Sequence, residues 1–193
     1  MKEHENELTL RRSAPGDEPA LKRLWQAVFG DTDEFIDTFF QLLYSPGTAC
    51  VALSGDRVVS AGYCLPGVTA KGKKCAYIYA VATDPDFRGL GAARRIVRNL
   101  TDQAFSEGTD VVATLPASES LTGWYKRVLG MEPVFRKGLP GAVFPESWHR
   151  FAGIVGTGDS GGESETPDRL WAVGAPGVDL DGLNGTGWAY TFE

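Results

Sequence analysis

A glycine-rich turn near the middle of the chain combines residue types that can bind a phosphate. Residues 77–82 form an apolar, β-branched and aromatic run that predicts a buried strand, and the turn-forming residues 83–86 end it. A segment that leads into a helix comes next: Arg88, Gly89, Leu90, Gly91, Ala92 and Ala93. Glycine lets the backbone approach a phosphate, and the first N–H groups of a helix have no partner within it. The stretch therefore predicts an anion cradle.

The spacing of the glycines separates the ligand classes that use such a cradle. A P-loop needs a Lys-Ser/Thr pair after its last glycine, where this chain has Ala92 and Ala93. A dinucleotide-binding turn needs a third glycine, where this chain has Arg94. Residues 88–93 instead fit the pattern Arg/Gln-x-x-Gly-x-Gly/Ala. An ordinary tight strand-to-helix turn would look the same over six residues, so the surrounding elements must decide between these interpretations.

The surrounding chain predicts ten elements in the order β-α-α-β-β-β-α-β-α-β. Apolar residues recur at helical spacing in the helices, and Gly, Pro, Asp and Ser mark the breaks between elements. With their capping residues, the elements are expected at 8–12, 17–30, 31–45, 48–53, 57–65, 75–82, 91–107, 111–115, 118–130 and 131–137. The cradle thus lies between a central strand and a long helix.

A second motif lies in the last predicted helix, at residues 121–132, Leu-Thr-Gly-Trp-Tyr-Lys-Arg-Val-Leu-Gly-Met-Glu. With the cradle and the order of elements over residues 8–137, it resembles the GCN5-related N-acetyltransferases (GNAT), which carry F-Y-x-x-x-G-F there and bind acetyl-coenzyme A at the cradle. The resemblance implies an α/β (α+β) fold. Its mixed, mostly antiparallel central sheet would have six to seven strands, flanked by about four helices and splayed at the acetyl-CoA cleft.

The resemblance also implies how acetyl-CoA would be held. Backbone N–H groups of residues 88–93 would bind the pyrophosphate, with Arg88 ordering the turn or contacting phosphate. Val81 and Thr83 would offer main-chain groups to pantetheine, and the Val81 N–H would point at the thioester oxygen. Ser118 stands where family members often carry a pantetheine-binding asparagine. Three basic residues are candidates for the 3′-phosphate: Arg94, Arg95 and Lys126.

Tyr125 occupies the position at which many family members place a tyrosine that protonates the departing thiolate of coenzyme A. A phenol with a pKa of ~10 is a suitable general acid for this step. An amphipathic helix would also place an aromatic side chain there, beside Trp124, for packing alone. The motif favours the catalytic role.

The general base and the acceptor site are not specified by the sequence. The central strand carries Tyr77 and Tyr79 but no acidic residue. Asp31, Asp33 and Glu34 flank the place where acceptor substrates enter in the family. They could attract a cation, although helix capping, by Asp31 in particular, is the simpler expectation. A relay through bulk water would need no dedicated base.

The composition is that of a globular protein of 193 residues with a net charge of −6. Its acidity argues against a nucleic-acid partner. No apolar run approaches the ~20 residues that a membrane-spanning helix needs, and the amino terminus lacks the apolar segment of a signal peptide. Cys50, Cys64 and Cys75 have no metal-type spacing and are expected to be buried, reduced thiols in a cytoplasmic protein.

The sequence divides into two parts. Residues 1–137 are expected to form the GNAT acetyltransferase core, and residues 138–193 a glycine-rich, acidic C-terminal extension. A final strand near 187–192 is expected to dock on the core sheet, where its edge could form a homodimer. The acidic loop at 156–166 is longer than the compact family pattern allows and could cover the substrate cleft.

The leading functional hypothesis is an N-acetyltransferase. It would transfer an acetyl group from acetyl-CoA, without a metal, to a primary amine of an unidentified small molecule or peptide by direct attack in a ternary complex. The alternative is a non-catalytic acyl-CoA-binding or regulatory module on the same scaffold, which the missing base leaves open. A dinucleotide-binding protein is a remote third possibility. Polyamines, antibiotics, amino acids and protein termini all remain candidate acceptors.

Overall fold

The computed structural model describes residues 7–157 and 165–193, which contain one eight-stranded sheet. The strands follow one another in space as β1-β2-β3-β4-β5-β7-β6-β8. Only the pairs β4–β5 and β6–β8 are parallel, and the other five pairs are antiparallel. The strands are β1 (Thr9–Arg12), β2 (Ala49–Ser54), β3 (Arg57–Ala70), β4 (Lys73–Thr83), β5 (Val111–Thr114), β6 (Glu132–Lys137), β7 (Arg169–Gly174) and β8 (Gly187–Trp188).

Helices cover both faces of this sheet. They are α1 (Glu18–Phe29), α2 (Asp33–Leu42), α3 (Ala92–Ser106), α4 (Thr122–Leu129) and α5 (Glu146–Val155). The helices α1, α2 and α5 pack on one face, and α3 and α4 pack on the other. Strand residues alternate between the two cores, as expected of a pleated strand. In β2, for example, Val51 joins the core beneath α1 while Cys50 and Ala52 join the core beneath α3.

The predicted fold class is confirmed, and the ten predicted elements occur in the predicted order as far as β6. The structure has one strand and one helix more than the expected upper numbers. Both lie beyond residue 137: α5 follows β6 directly, and β7 inserts between β5 and β6. The sequence analysis assigned no strand to Arg169–Gly174, because glycine and polar residues surround this short apolar run.

A β-bulge interrupts β4 beside the central cleft. Ala61 pairs with Ala82 and Tyr63 with Tyr79, so that Ala80 and Val81 together oppose the single residue between them on β3. Ala80 has a φ of 51°, a left-handed conformation that is uncommon without glycine. The pairing of β4 with β5 ends at Ile78↔Thr114, although β4 continues to Thr83. These two strands therefore separate at the bulge, as the splayed sheet of the prediction requires.

The chain after β8 crosses the face of the sheet that carries α1. Tyr77 and Tyr79 project from β4 on this face, and their hydroxyls donate hydrogen bonds of 2.9 and 2.6 Å to the carbonyl oxygens of Thr191 and Phe192. The ring of Phe192 packs 4.8 Å from that of Phe151 on α5. A final strand was expected near 187–192; β8 itself comprises two residues, beside β6.

Some predictions concern residues outside the described part of the chain. They include the amino-terminal residues 1–6 and most of the acidic loop at 156–166. No helix among the described residues is both long and apolar enough to cross a bilayer. All three cysteines are buried and free, and burial raises the pKa of Cys50 to about 11 and those of Cys64 and Cys75 to about 12.

Candidate active site

The shape of the glycine-rich turn depends on two glycines with positive φ. Gly89 and Gly91 have φ values of +81° and +79°, which a residue with a side chain rarely adopts. A Cβ atom on either glycine would meet no protein atom within 4 Å, so these glycines serve the turn rather than relieve crowding. Arg88 orders the turn through a hydrogen bond of 3.3 Å from its Nε to the carbonyl of Thr83. Gly91 is the N-cap of α3 and provides no side-chain capping bond, and the first N–H groups of a helix have no partner within it.

A cavity of about 520 Å³ lies against this turn, and we call it the cradle cavity. Seven of the residues predicted to bind the cofactor line it: Val81, Thr83, Arg88, Gly89, Gly91, Ala92 and Ala93. Its remaining lining residues are Val28, Phe87, Arg94 and Trp124. The N-terminus of α3, which attracts anions, thus opens on a space large enough for a nucleotide.

Three other predicted residues do not line the cradle cavity. The side chain of Leu90 is exposed, and Lys126 is exposed on α4. Ser118 precedes a short 3₁₀ turn, and its hydroxyl bonds to that of Ser120 at 2.8 Å. Ser118 was expected to cap the last predicted helix; it is the N-cap residue of the 3₁₀ helix Glu119–Leu121 that runs into α4, but its hydroxyl makes no capping hydrogen bond. Arg95, a candidate for the 3′-phosphate, donates to the carbonyl of Leu8 at 2.8 Å.

A second cavity, of about 410 Å³, lies on the other side of the bulge, and we call it the aromatic cavity. Val81 lines both cavities, so the two cavities border the same residue of β4, beyond the last β4–β5 pair at Ile78↔Thr114. Residues from several separate segments of the chain line the aromatic cavity: Trp25, Phe29, Asp31, Tyr77, Ile78, Tyr79, Ala80, Val81, Thr114, Leu115, Ala117, Leu121, Tyr125, Thr166, Thr191, Phe192 and Glu193. The two residues predicted to act in catalysis, Val81 and Tyr125, both line the aromatic cavity.

Tyr125 projects from α4 into the sheet-facing side of the aromatic cavity and is only 8% exposed. Burial raises the pKa of its hydroxyl, and a hydrogen bond with Thr114 offsets part of that rise. Thr114 itself donates to the carbonyl of Ile78 at 3.0 Å. The phenol is therefore protonated at neutral pH and is anchored at the end of β5, where the two strands separate.

The acidic residues of the aromatic cavity have different surroundings. Asp31 accepts a hydrogen bond of 2.7 Å from the indole nitrogen of Trp25. The expectation that Asp31 caps the second helix is wrong, because Thr32 is the N-cap of α2 and accepts from the N–H of Phe35. Asp31 lies one residue too early for this bond and turns toward Trp25 instead. Glu193 is paired with Lys137 at 2.9 Å.

The sequence analysis missed most of the aromatic cavity. Trp25 and Phe29 lie on the apolar stripe of α1, where their spacing indicates packing against a core. Phe192 stands at the end of a segment that was expected to be a strand. Asp31 was singled out, and its position between two helices was the available signal. None of these residues belongs to a motif that marks a cleft.

Comparison with known proteins identifies the family. The family profile described as an acetyltransferase (GNAT) domain matches residues 9–128, which is more than half of the chain. The protein belongs to this family of acetyltransferases, as the two sequence motifs predicted. Curated protein sequences give no match.

Solved structures share the fold at low sequence identity. The GNAT family N-acetyltransferase YhbS from Escherichia coli, in complex with CoA, has a TM-score of 0.65 at 20% identity and covers 94% of this chain and 89% of its own. Mosquito arylalkylamine N-acetyltransferase like 5b has a TM-score of 0.60 at 12% identity, over 88% of this chain and 100% of its own. A GNAT family acetyltransferase from Brucella melitensis, in complex with acetyl-CoA, has a TM-score of 0.54 at 17% identity, over 66% and 84%.

Proposed function

We propose that this protein transfers an acetyl group from acetyl-CoA to a primary amine by direct attack in a ternary complex. The observation that carries the proposal is that Val81 lines both the cradle cavity, at the glycine-rich turn, and the aromatic cavity, which Tyr125 also lines. A nucleotide thioester that extends from the cradle past Val81 would bring its carbonyl carbon into the aromatic cavity. The acceptor amine would approach from the opposite end.

Each part of the cradle cavity has a role in this proposal. The N–H groups of residues 89–93 bind the pyrophosphate, since the amino end of α3 favours negative charge. Thr83 and Val81 offer main-chain groups to pantetheine, which lies in the gap where β5 no longer pairs with β4. The N–H of Val81 stabilises the thioester oxygen as charge develops there. Arg94 lines this cavity and is the better placed of the two arginines for the 3′-phosphate.

The chemical step forms one bond and breaks another. The neutral amine attacks the thioester carbon, the C–N bond forms and the C–S bond breaks. Tyr125 gives its proton to the departing sulfur, the nitrogen loses a proton to water, and the phenolate of Tyr125 then regains a proton from water, so that protons and charge balance over the cycle. Burial keeps the phenol protonated until the thiolate appears, which suits a general acid.

The solved relatives support this choice of co-substrate. The Escherichia coli protein was crystallised with CoA and the Brucella melitensis protein with acetyl-CoA. Both share the fold, and in the present structure the cradle cavity lies against the glycine-rich turn. Ser118, Leu90 and Lys126 remain proposed cofactor contacts, although their side chains line neither cavity.

Two measurements on the purified protein test the proposal. Calorimetry with CoA should give saturable binding with one site per chain, and release of free thiol from acetyl-CoA should require an amine. A folded sample that binds neither CoA nor acetyl-CoA would overturn the proposal. The comparison with NADH, which should not bind, separates a thioester site from a general nucleotide site.

A non-catalytic acyl-CoA-binding module is the second candidate, and one observation favours it. The two β4 side chains nearest the bulge on the acceptor face are Tyr77 and Tyr79, and both hydroxyls are engaged by main-chain carbonyls. The central strand therefore supplies no general base. Binding of acetyl-CoA without thiol release, whichever amine is added, would establish this alternative and exclude the enzyme.

A further inference from the structure

Part of the wall of the aromatic cavity is a group of aromatic rings that pack against one another. The ring of Trp25 lies 5.9 Å from that of Phe29 and 5.7 Å from that of Tyr79, and the ring of Tyr79 lies 6.3 Å from that of Phe192. These four side chains come from α1, β4 and the segment after β8, and all line the aromatic cavity. Their common surface suits the body of a flat or branched apolar molecule.

The mouth of the aromatic cavity is also apolar. Phe29 is 45% exposed and Leu121 is 38% exposed, although large apolar side chains are usually buried. Both line the cavity, one from the end of α1 and the other from the turn before α4. Exposed apolar side chains at the opening of a cavity mark a surface that a ligand covers.

The charges at this cavity are of one sign. Among the described residues that line it, Asp31 and Glu193 are acidic and there is no lysine or arginine. The charge of Glu193 is balanced by Lys137. Within residues 7–157 and 165–193, no cation pairs with Asp31, whose hydrogen-bond partner is the neutral indole of Trp25. After burial, the charge of Asp31 is the next cause of the raised pKa of Tyr79, which places this carboxylate at the same aromatic wall.

The apolar walls of the aromatic cavity and the negative charge of Asp31 should favour some acceptor amines over others. A carboxylate on the substrate would lose its hydration beside Asp31 without meeting a cation, which is unfavourable. A polyamine would have to bury additional ammonium groups against aromatic and aliphatic walls. An ammonium near Asp31 and the faces of Trp25 or Tyr79 is stabilised both by the carboxylate and by the rings.

We propose that the acceptor is a primary amine whose only charge is its ammonium group and whose body is an aromatic ring or a comparably apolar group on a short chain. The ring occupies the space between Phe29, Trp25 and Phe192, while Asp31 attracts the ammonium form before it loses its proton to water. This inference rests on the proposed acetyl transfer and assigns Asp31 and Phe29 as specificity-determining residues.

Four amines separate the features of this inference. 2-Phenylethylamine has both the ring and the single charge, ethylamine lacks the ring, phenylalanine adds a carboxylate, and spermidine adds further ammonium groups. We expect kcat/KM for thiol release to be highest for 2-phenylethylamine, by at least roughly tenfold over each of the others. Calorimetric titration of each amine into the CoA-saturated protein should give the same order of affinity.

Two variants test the assigned residues. Asp31→Asn keeps an oxygen that can accept from Trp25 but removes the charge, and it should raise KM for 2-phenylethylamine roughly tenfold while the Kd for CoA stays unchanged. Asp33→Asn is the matched control, since Asp33 is exposed and does not line the aromatic cavity. Phe29→Ala should raise KM for 2-phenylethylamine severalfold and leave that for ethylamine nearly unchanged.

The outcomes distinguish this inference from the proposed function. Turnover that prefers phenylalanine or spermidine would overturn the inference and leave acetyl transfer intact. Calorimetric binding of 2-phenylethylamine that weakens roughly tenfold in Asp31→Asn, but without turnover, would support the assigned class of ligand and overturn acetyl transfer. If the CoA-saturated protein binds no 2-phenylethylamine, or if Asp31→Asn and Asp33→Asn behave alike, the inference is wrong.

Discussion

The cradle cavity and the aromatic cavity are built on opposite principles. Most residues of the cradle cavity lie within one stretch, 81–94, and act through backbone N–H groups and glycine conformation. The aromatic cavity is assembled from residues as far apart as Trp25 and Phe192, and it acts through side chains. In the proposed function the cradle cavity binds acetyl-CoA through the backbone, whereas the aromatic cavity binds the acceptor through side chains that can be changed one at a time. The difference indicates where specificity resides.

The two regions should therefore respond differently to substitution. A change in the cradle should alter affinity for CoA whatever the acceptor, because the backbone geometry is shared by all turnovers. A change in the aromatic cavity should alter the acceptor kinetics and spare the affinity for CoA. The following predictions test this separation.

The largest effect is expected at the junction of the two regions. Tyr125→Phe should slow turnover by roughly ten- to a thousand-fold, because the general acid is lost while the ring still packs. The Kd for CoA, measured by calorimetry, should stay near that of the wild type. Tyr44→Phe is the matched control, since it removes a tyrosine hydroxyl that bonds to Ser13 and lines neither cavity. Equal turnover of the two variants would limit Tyr125 to packing.

A smaller effect is expected within the cradle. Gly91→Ala should weaken CoA binding by roughly tenfold, because an alanine at this positive φ strains the turn by about 1–2 kcal/mol and shifts the N–H groups that would bind phosphate. Gly72→Ala provides the control, because Gly72 has a φ of +78° in the β3–β4 turn and equally open space around it. Both variants should lose similar stability to denaturant. A similar loss of CoA affinity in both would show that strain alone, rather than the cradle, is responsible.

A substitution in the wall of the aromatic cavity should affect the amine rather than CoA. Tyr79→Phe removes the hydrogen bond to the carbonyl of Phe192 and should cost about 1 kcal/mol of unfolding free energy. Because Phe192 is then held less firmly, KM for the amine should rise roughly two- to fivefold, with the Kd for CoA unchanged. A change in CoA affinity larger than the change in KM would contradict the separation of the two regions.

The smallest functional effect is expected far from both cavities. The Arg11 side chain, through its hydrogen bonds at 2.6 and 2.9 Å, lowers the pKa of Asp17 at the start of α1. This contribution is fully present above the usual carboxyl pKa of ~3.9 and is lost as the pH falls through the lowered value. Asp17→Asn should therefore cost about 1–2 kcal/mol at pH 7, and progressively less below pH 4.

Denaturant titrations at several pH values measure this difference. Asp37→Asn should change stability little, since Asp37 forms an exposed ion pair with Lys22. Neither variant should alter KM or the Kd for CoA at pH 7. A loss of acceptor binding in Asp17→Asn would show that the aromatic cavity depends on how α1 is anchored.

The sequence predicted the cradle well because its parts are neighbours in the chain. A strand that ends in a turn and enters a helix has few possible geometries, so residues 81–94 carried most of the information about their own arrangement. The second motif predicted that Tyr125 lies on the helix before β6, and the structure places it there, on α4. What this motif did not specify is the turn before that helix, so the role proposed for Ser118 has less support.

The aromatic cavity was not predictable in the same way. Trp25 and Phe39 both belong to apolar helix stripes, yet only Trp25 lines the cavity, because the tertiary packing decides which side of a helix meets a gap. The position of Phe192 depends on hydrogen bonds from β4, more than a hundred residues earlier in the chain. Likewise, β7 pairs with strands on both sides, and its place between them is a long-range property.

The extra residue in β4 has a consequence for chain-length variants. Before the bulge, Tyr77 and Tyr79 point to the core of α1; after it, Val81 points to the core of α3 and Ala82 to that of α1. The insertion thus shifts the alternation of side chains by one residue: odd-numbered residues face the core of α1 before the bulge, and Ala82 does so after it. Deleting Ala80 would place Val81 opposite Gly62 in a regular strand, with Val81 still facing the core of α3 and Ala82 that of α1, and would remove the bulge at which β4 separates from β5. A chain shortened by that one residue should fold, yet lose the separation of β4 from β5 in which pantetheine is proposed to lie.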